Sequence, residues 1–190
     1  MNPKKAKIIL RETKKILNGL RLNWWISAGT ALGLYRDQLS NEFLKKDTDL
    51  DIGILGLSKE EIDTLVHSFI GNGFSLVKAL QADGKEFQIV FVKDDILVDI
   101  YLFELESSWK TGIIGIVNHN EHGIMRKPFL FPLTKIKGYP MLNPPELYLE
   151  IRFGPNWRIP SSKKIPWQFE AANLEFYRSE DYEEVDCKSE

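Results

Sequence analysis

Three aspartates carry the densest chemistry in this chain. In Thr48-Asp49-Leu50-Asp51-Ile52-Gly53-Ile54 acids and aliphatics alternate, the pattern of a strand with one buried face. Asp49 and Asp51 then share one face, and Leu50, Ile52 and Ile54 take the other. The segment Ile96 to Phe103 repeats the device: Ile96, Val98, Ile100 and Leu102 form an aliphatic face, while Asp99 shares its face with Leu97, Tyr101 and Phe103. A carboxylate among apolar strand residues costs desolvation energy unless something positive compensates it, and three converging carboxylates repel one another. A divalent cation resolves both conflicts, and an all-oxygen ligand set suits Mg²⁺ or Mn²⁺. Two carboxylates at alternate strand positions, with a third on a neighbouring strand, can hold such an ion against a nucleotide's phosphates. The alternative for Asp49 and Asp51 is an edge strand with both carboxylates in solvent. An EF-hand loop starting at Asp47 is excluded, because its glycine position holds Ile52 and its last glutamate position Ser58.

Just upstream, Ser27-Ala28-Gly29-Thr30-Ala31-Leu32-Gly33-Leu34-Tyr35-Arg36 follows a strand and leads into a helix. Backbone N–H groups around Gly29, with the hydroxyls of Ser27 and Thr30, can approach a phosphate at a helix N-terminus. Arg36, two turns on, offers a planar fork to a phosphate oxygen. Such a turn also serves packing alone; its place before the acidic strand is what adds weight. Ser27, Gly29, Thr30 and Arg36 are therefore the candidate nucleotide- and phosphate-binding residues.

The elements that must position these residues read as a mixture of helices and strands. Residues 3–20 form an amphipathic helix, apolar at Ile8, Ile9, Ile16, Leu17 and Leu20 and basic at Lys4, Lys5, Lys7, Lys14 and Lys15. Residues 23–27 are a short aromatic strand, and a helix opens at Gly29. Ser58-Lys59-Glu60-Glu61 is a capping box for a helix running towards Phe69 and stopped by Gly71-Asn72-Gly73. Strands are predicted at 74–80, 86–92 and 96–103, with a further pair between Gly112 and Phe131. Asn143-Pro144 opens a helix that stops at Gly154. Residues 157–166 read as loop and 167–178 as a last helix. The fold class is α/β (α+β), a mixed β-sheet with flanking helices. Residues 1–178 form one domain and 179–190 an acidic, flexible tail.

Composition bounds the rest. The chain of 190 residues is 43% hydrophobic and 12% aromatic, enough for a sizeable core. It has no apolar run of the roughly 18 residues a membrane span needs and no secretory signal at its N-terminus, so the expected location is cytoplasmic. Its one cysteine, Cys187, excludes a disulfide framework and a Cys-rich zinc site. The net charge of −2 is unevenly spread: six acids and one lysine fall in the last twelve residues, which leaves the remainder only mildly basic. That gives no strong signal for a nucleic-acid partner. His119-Asn120-Glu121-His122 reads either as metal ligands or as a polar turn between strands, and the absence of supporting Cys or His favours the turn. Trp109, Trp157 and Trp167 offer stacking faces for a base or sugar, or pack into the core.

Together, Trp25 to Arg36, Asp49-Leu50-Asp51-Ile52-Gly53-Ile54, Val98-Asp99-Ile100-Tyr101, Phe131-Pro132-Leu133 and Leu149 to Pro160 resemble the LicD/fukutin family in order along residues 23–166. The first segment is closer to fukutin than to the bacterial choline enzymes. The resemblance implies a nucleotidyltransferase-like fold, Asp49 and Asp51 as holders of a metal ion, and Asp99 as third ligand or base. It puts Gly29, Thr30 and Arg36 beside the donor's phosphates. It also implies transfer of a phosphorylated small molecule, phosphocholine or an alditol phosphate, from a CDP-activated donor to a glycan or other hydroxyl acceptor. Between Arg36 and Asp49 the chain is about three residues longer than the family pattern and lacks its proline, and this segment is placed to affect donor or acceptor. Two other readings stay open: nucleotidyl transfer from an NTP to a small molecule or protein, and a degenerate nucleotide-binding or antitoxin-like module.

Overall fold

A computed structural model describes residues 1–82, 85–108, 113–117, 119–120, 123–125, 132–160, 174–175 and 183–185, with side chains at 1–81, 86–104 and 132–160. In chain order the elements are α1 (Pro3–Gly19), β1 (Asn23–Ile26), α2 (Ala28–Tyr35), α3 (Asn41–Lys46), β2 (Asp49–Leu55), α4 (Lys59–Gly71), β3 (Ser75–Ala82), β4 (Lys85–Lys93) and β5 (Ile96–Ser108). Then come β6 (Ile113–Val117), β7 (His119–Asn120), β8 (Gly123–Met125), β9 (Leu133–Ile136), β10 (Tyr139–Leu142), α5 (Pro145–Phe153), β11 (Leu174–Glu175) and β12 (Glu183–Val185).

The two alternating segments become neighbours at the centre of the main sheet, whose order is β1-β2-β5-β4-β3-β12 with β6 on the far half of β5. β2 and β5 run parallel in a register that sets Asp51 beside Asp99 and Ile52 beside Ile100. The other described pairs are antiparallel, so the sheet is mixed, as expected. Residues paired across strands share a face, and the aliphatic sets of both central strands therefore merge into one buried surface.

Helices α1 and α4 cover that surface. Ile9, Leu10, Ile16 and Leu17 of α1 and Leu65 and Phe69 of α4 are buried in the same core as Leu50, Ile52, Val98 and Ile100, each stabilising the fold by about 1.5–3 kcal/mol. Phe69 stacks on Phe91 of β4 with ring centroids 4.4 Å apart, and the Trp24 indole N–H donates to Asn18 of α1 at 3.0 Å. The predicted capping box at Ser58 and Glu61 is present and starts α4. Both tryptophans of β1 are buried: Trp24 faces α1, and Trp25 lies on the opposite face over Gly53 and beside Phe103, centroids 5.0 Å apart.

Several details differ from expectation. The 37–46 segment contains α3, capped by the Ser40 hydroxyl on the Phe43 N–H at 3.1 Å. The β9–β10 hairpin turns at Lys137 and Gly138, both at positive φ. Leu174–Glu175 are extended and pair with β8 rather than joining a helix, and the rest of 167–178 lies outside the described residues. Expected within a solvated tail, Glu183–Val185 instead pair with β3. Of the His119–His122 motif, His119 and Asn120 form β7, and Glu121 and His122 lie outside the described residues, as do Trp109 and Trp167. No described helix is long and apolar enough to cross a membrane.

Candidate active site

Parallel pairing of β2 and β5 gathers the three aspartates on the sheet face opposite α1 and α4. One carboxylate oxygen from each of Asp49, Asp51 and Asp99 lies within 4.8 Å of the others. Asp51 and Asp99 are only 5% and 9% exposed, so little solvent separates their charges. Burial drives the Asp51 carboxyl well above the usual carboxylate range, and the charges of Asp49, Asp47 and Asp99 push it further. Burial, then Asp49, raises Asp99 to about 7, against the opposing pull of hydrogen bonds from Gln88 and Tyr101 and the charge of Lys78. Asp49 is raised by burial too, with the Thr48 hydroxyl working the other way.

The first turn of α2 is fastened to this cluster. The Thr30 N–H donates to Asp51 Oδ2 at 3.0 Å, while the Thr30 hydroxyl accepts the Asp51 N–H at 2.8 Å and lies 3.4 Å from Oδ2. Ser27 N–H donates to the Asp51 carbonyl at 3.0 Å. Gly29 is needed for the close approach: a Cβ there would stand 3.1 Å from Asp51 Oδ2. No acceptor for the Gly29 N–H is found among the described residues.

The structure thus brings Asp49, Asp51, Asp99, Ser27, Gly29 and Thr30 together, with the Thr30 side chain spent on Asp51 rather than turned outward. Arg36 is placed differently from expectation. Its guanidinium is held by Asp37 at 2.7–2.8 Å and by the Trp157 carbonyl at 2.9 Å, so it clamps the end of α2 to the segment after α5 instead of offering a vacant fork.

Other residues join the site that the sequence reading did not assign to it. Asp47 extends the period-2 run of acids by one step; burial and then Asp49 raise its carboxyl to about 6, and its Oδ2 is buried without a hydrogen-bond partner. Gln88, paired across the sheet with Tyr101, donates to Asp99 Oδ2 at 2.9 Å. Tyr148 of α5 accepts the Ala28 N–H at 2.9 Å and shares a hydrogen bond with the Ser27 hydroxyl at 3.1 Å. Arg152 follows it by one helical turn. The period-2 acids were open to discovery in the sequence; Tyr148, which meets Ser27 across 121 positions, was not.

The donor set fits a divalent cation, since every ligand atom is a carboxylate oxygen and the buried charges repel one another in the absence of a cation. Asp49, Asp51 and Asp99 can hold a metal ion.

Fold and site define an α+β domain whose acids lie on adjacent parallel strands, with a helix N-terminus fastened to them. A family model described as LicD/FKTN/FKRP, nucleotidyltransferase domain, matches residues 21–142, and the chain belongs to this family. It is 28% identical over 177 residues to ribitol-5-phosphate transferase FKTN of Macaca fascicularis and of Homo sapiens, and 27% identical to that of Mus musculus. Each alignment covers 90% of this chain and 37% of the relative, so the chain spans little more than a third of the length of these proteins.

Proposed function

We propose that this chain is a metal-dependent phosphotransferase that moves an alditol phosphate, ribitol 5-phosphate in the first instance, from a CDP-activated donor to a glycan hydroxyl. The observation that carries this reading is the buried Asp49–Asp51–Asp99 cluster beside the Gly29 turn, in a chain that belongs to the LicD/FKTN/FKRP family. The ribitol substrate is taken from the name of the FKTN relatives.

Asp49 and Asp51 would hold Mg²⁺ or Mn²⁺, and such an ion would neutralise charge on the donor's phosphates and on the departing nucleotide. The Gly29 N–H, at the positive end of α2, is directed to a phosphate oxygen. Thr30 fixes the Asp51 carboxylate through its N–H and hydroxyl. The acceptor hydroxyl attacks the donor's β-phosphorus and gives its proton to the Asp99 carboxylate. The bond between the β-phosphorus and the bridging oxygen breaks, and CMP leaves. Catalysis of this kind is mostly positioning and charge stabilisation.

The test is product release from CDP-ribitol, CDP-glycerol, CDP-choline and CTP with Mg²⁺ and a hydroxyl-bearing glycan acceptor, paired with thermal melts. CDP-ribitol is expected to release CMP and, at 100 times its Kd, to stabilise the chain by roughly 2.7 kcal/mol, more than CTP does. Asp51→Ala should abolish release while the chain still melts cooperatively. Pyrophosphate from CTP, with no CMP from any conjugate, would replace this reading with nucleotidyl transfer.

A further inference from the structure

A donor pyrophosphate carries more negative charge than one divalent ion offsets, and the Arg36 guanidinium is taken by Asp37 and the Trp157 carbonyl. Helix α5 supplies another guanidinium. It is anchored beside the glycine turn by Tyr148, whose hydroxyl holds Ser27 and Ala28, and by a hydrogen bond from Tyr35 to Glu146. Arg152 stands one turn after Tyr148 and so projects from the same helix face. Its charge reaches the hydroxyl of Tyr148, the group that holds the glycine turn. Arg152 Nη1 is buried and has no hydrogen-bond partner, and among the described residues no carboxylate pairs with the guanidinium. Its described contact is with the ring of Phe153, 5.4 Å away. A buried N–H without an acceptor is costly, and a planar guanidinium fork matches a phosphate oxygen.

We propose that Arg152 is the donor-phosphate ligand of this site, its unpartnered Nη1 meeting a pyrophosphate oxygen of the nucleotide-activated donor. The proposal rests on the phosphotransferase reading and deepens it by naming the residue that recognises the phosphates.

Calorimetric titration of the full chain with CDP and with cytidine, both in Mg²⁺, tests it. Arg152→Gln is expected to weaken CDP binding roughly 10- to 100-fold, the loss of one charge-assisted hydrogen bond, and to leave cytidine binding unchanged. Arg152→Lys keeps the charge without the fork and should fall between the two. Unchanged CDP affinity in both variants would overturn the proposal while leaving the phosphotransferase reading intact. A wild-type chain that binds neither CDP nor a CDP-conjugate would overturn both. If Arg152→Gln loses its cooperative melt, Arg152→Lys decides alone: weaker CDP with unchanged cytidine supports the assignment, and equal CDP affinity overturns it.

Discussion

Asp51 is held by hydrogen bonds from its neighbours and opposed by their charges. Thr30 binds its carboxylate and its amide, while Asp47, Asp49 and Asp99 repel it. Asp51→Asn removes the repulsion and keeps an acceptor for the Thr30 N–H. In EDTA this variant should melt at or above the wild-type temperature, whereas in excess Mg²⁺ the wild type should melt higher; the two orders together identify a carboxylate kept for a ligand and not for the fold. Asp99 makes a pH prediction. Its carboxyl titrates near 7 in the folded chain, against 3.8 ordinarily, so between those values the folded chain holds a proton that the unfolded chain has released. Stability from this group is therefore present at low pH and falls as pH rises through 7. Metal-free wild type should lose more stability from pH 5 to pH 8 than Asp99→Asn does, read by urea denaturation. The three acids were legible from period 2 because an aliphatic face fixes which side of a strand an acid takes. Arg36 is placed differently from expectation for a reason that spacing cannot reveal: its reach is visible in the sequence, but not its engagement by Asp37 and the distant Trp157 carbonyl.

At the level of elements, two glycines separate packing from site geometry. A Cβ on Gly53 would lie 2.3 Å from Trp25 Cε2, and that ring is buried against Phe103 with nowhere to retreat. Gly53→Ala should destabilise the β1–β2 pair by about 1–3 kcal/mol, read as a lower urea midpoint. A Cβ on Gly29 would meet Asp51 Oδ2 at 3.1 Å, a shift of a few tenths of an ångström for one carboxylate. Gly29→Ala should therefore cost less stability but weaken Mg²⁺ binding, measured by calorimetry, and the contrast between the two variants is the prediction. The strands carrying the acids and the helices α1, α4 and α5 could be read from alternation, caps and stop signals. Helix α3 could not, since six residues leave no periodicity to detect and its stability comes from the Ser40 cap and the buried Leu44. The β9–β10 hairpin was hidden likewise: its strands are four residues each and its turn is Lys-Gly rather than Asn-Gly.

Across the whole molecule, the sheet order joins residues far apart in sequence. The chain leaves β2, passes through α4, β3 and β4, and only then returns as β5 to lie parallel to β2. Parallel neighbours require such a crossover, which made adjacency of the two acidic strands a reasonable inference from the sequence; the register that sets Asp51 opposite Asp99 was not readable from it. Because the carboxylates converge only when β2 and β5 pair, Mg²⁺ should bind the folded chain and not the unfolded one, so the melting temperature should rise with Mg²⁺ and return to its starting value on chelation. The same route also divides the molecule usefully. A break in the connection at residues 83–84, between β3 and β4, would leave Asp49 and Asp51 on one fragment and Asp99 on the other. Neither piece would own an ion site, and ion capture would report their reunion as a two-part complementation sensor does.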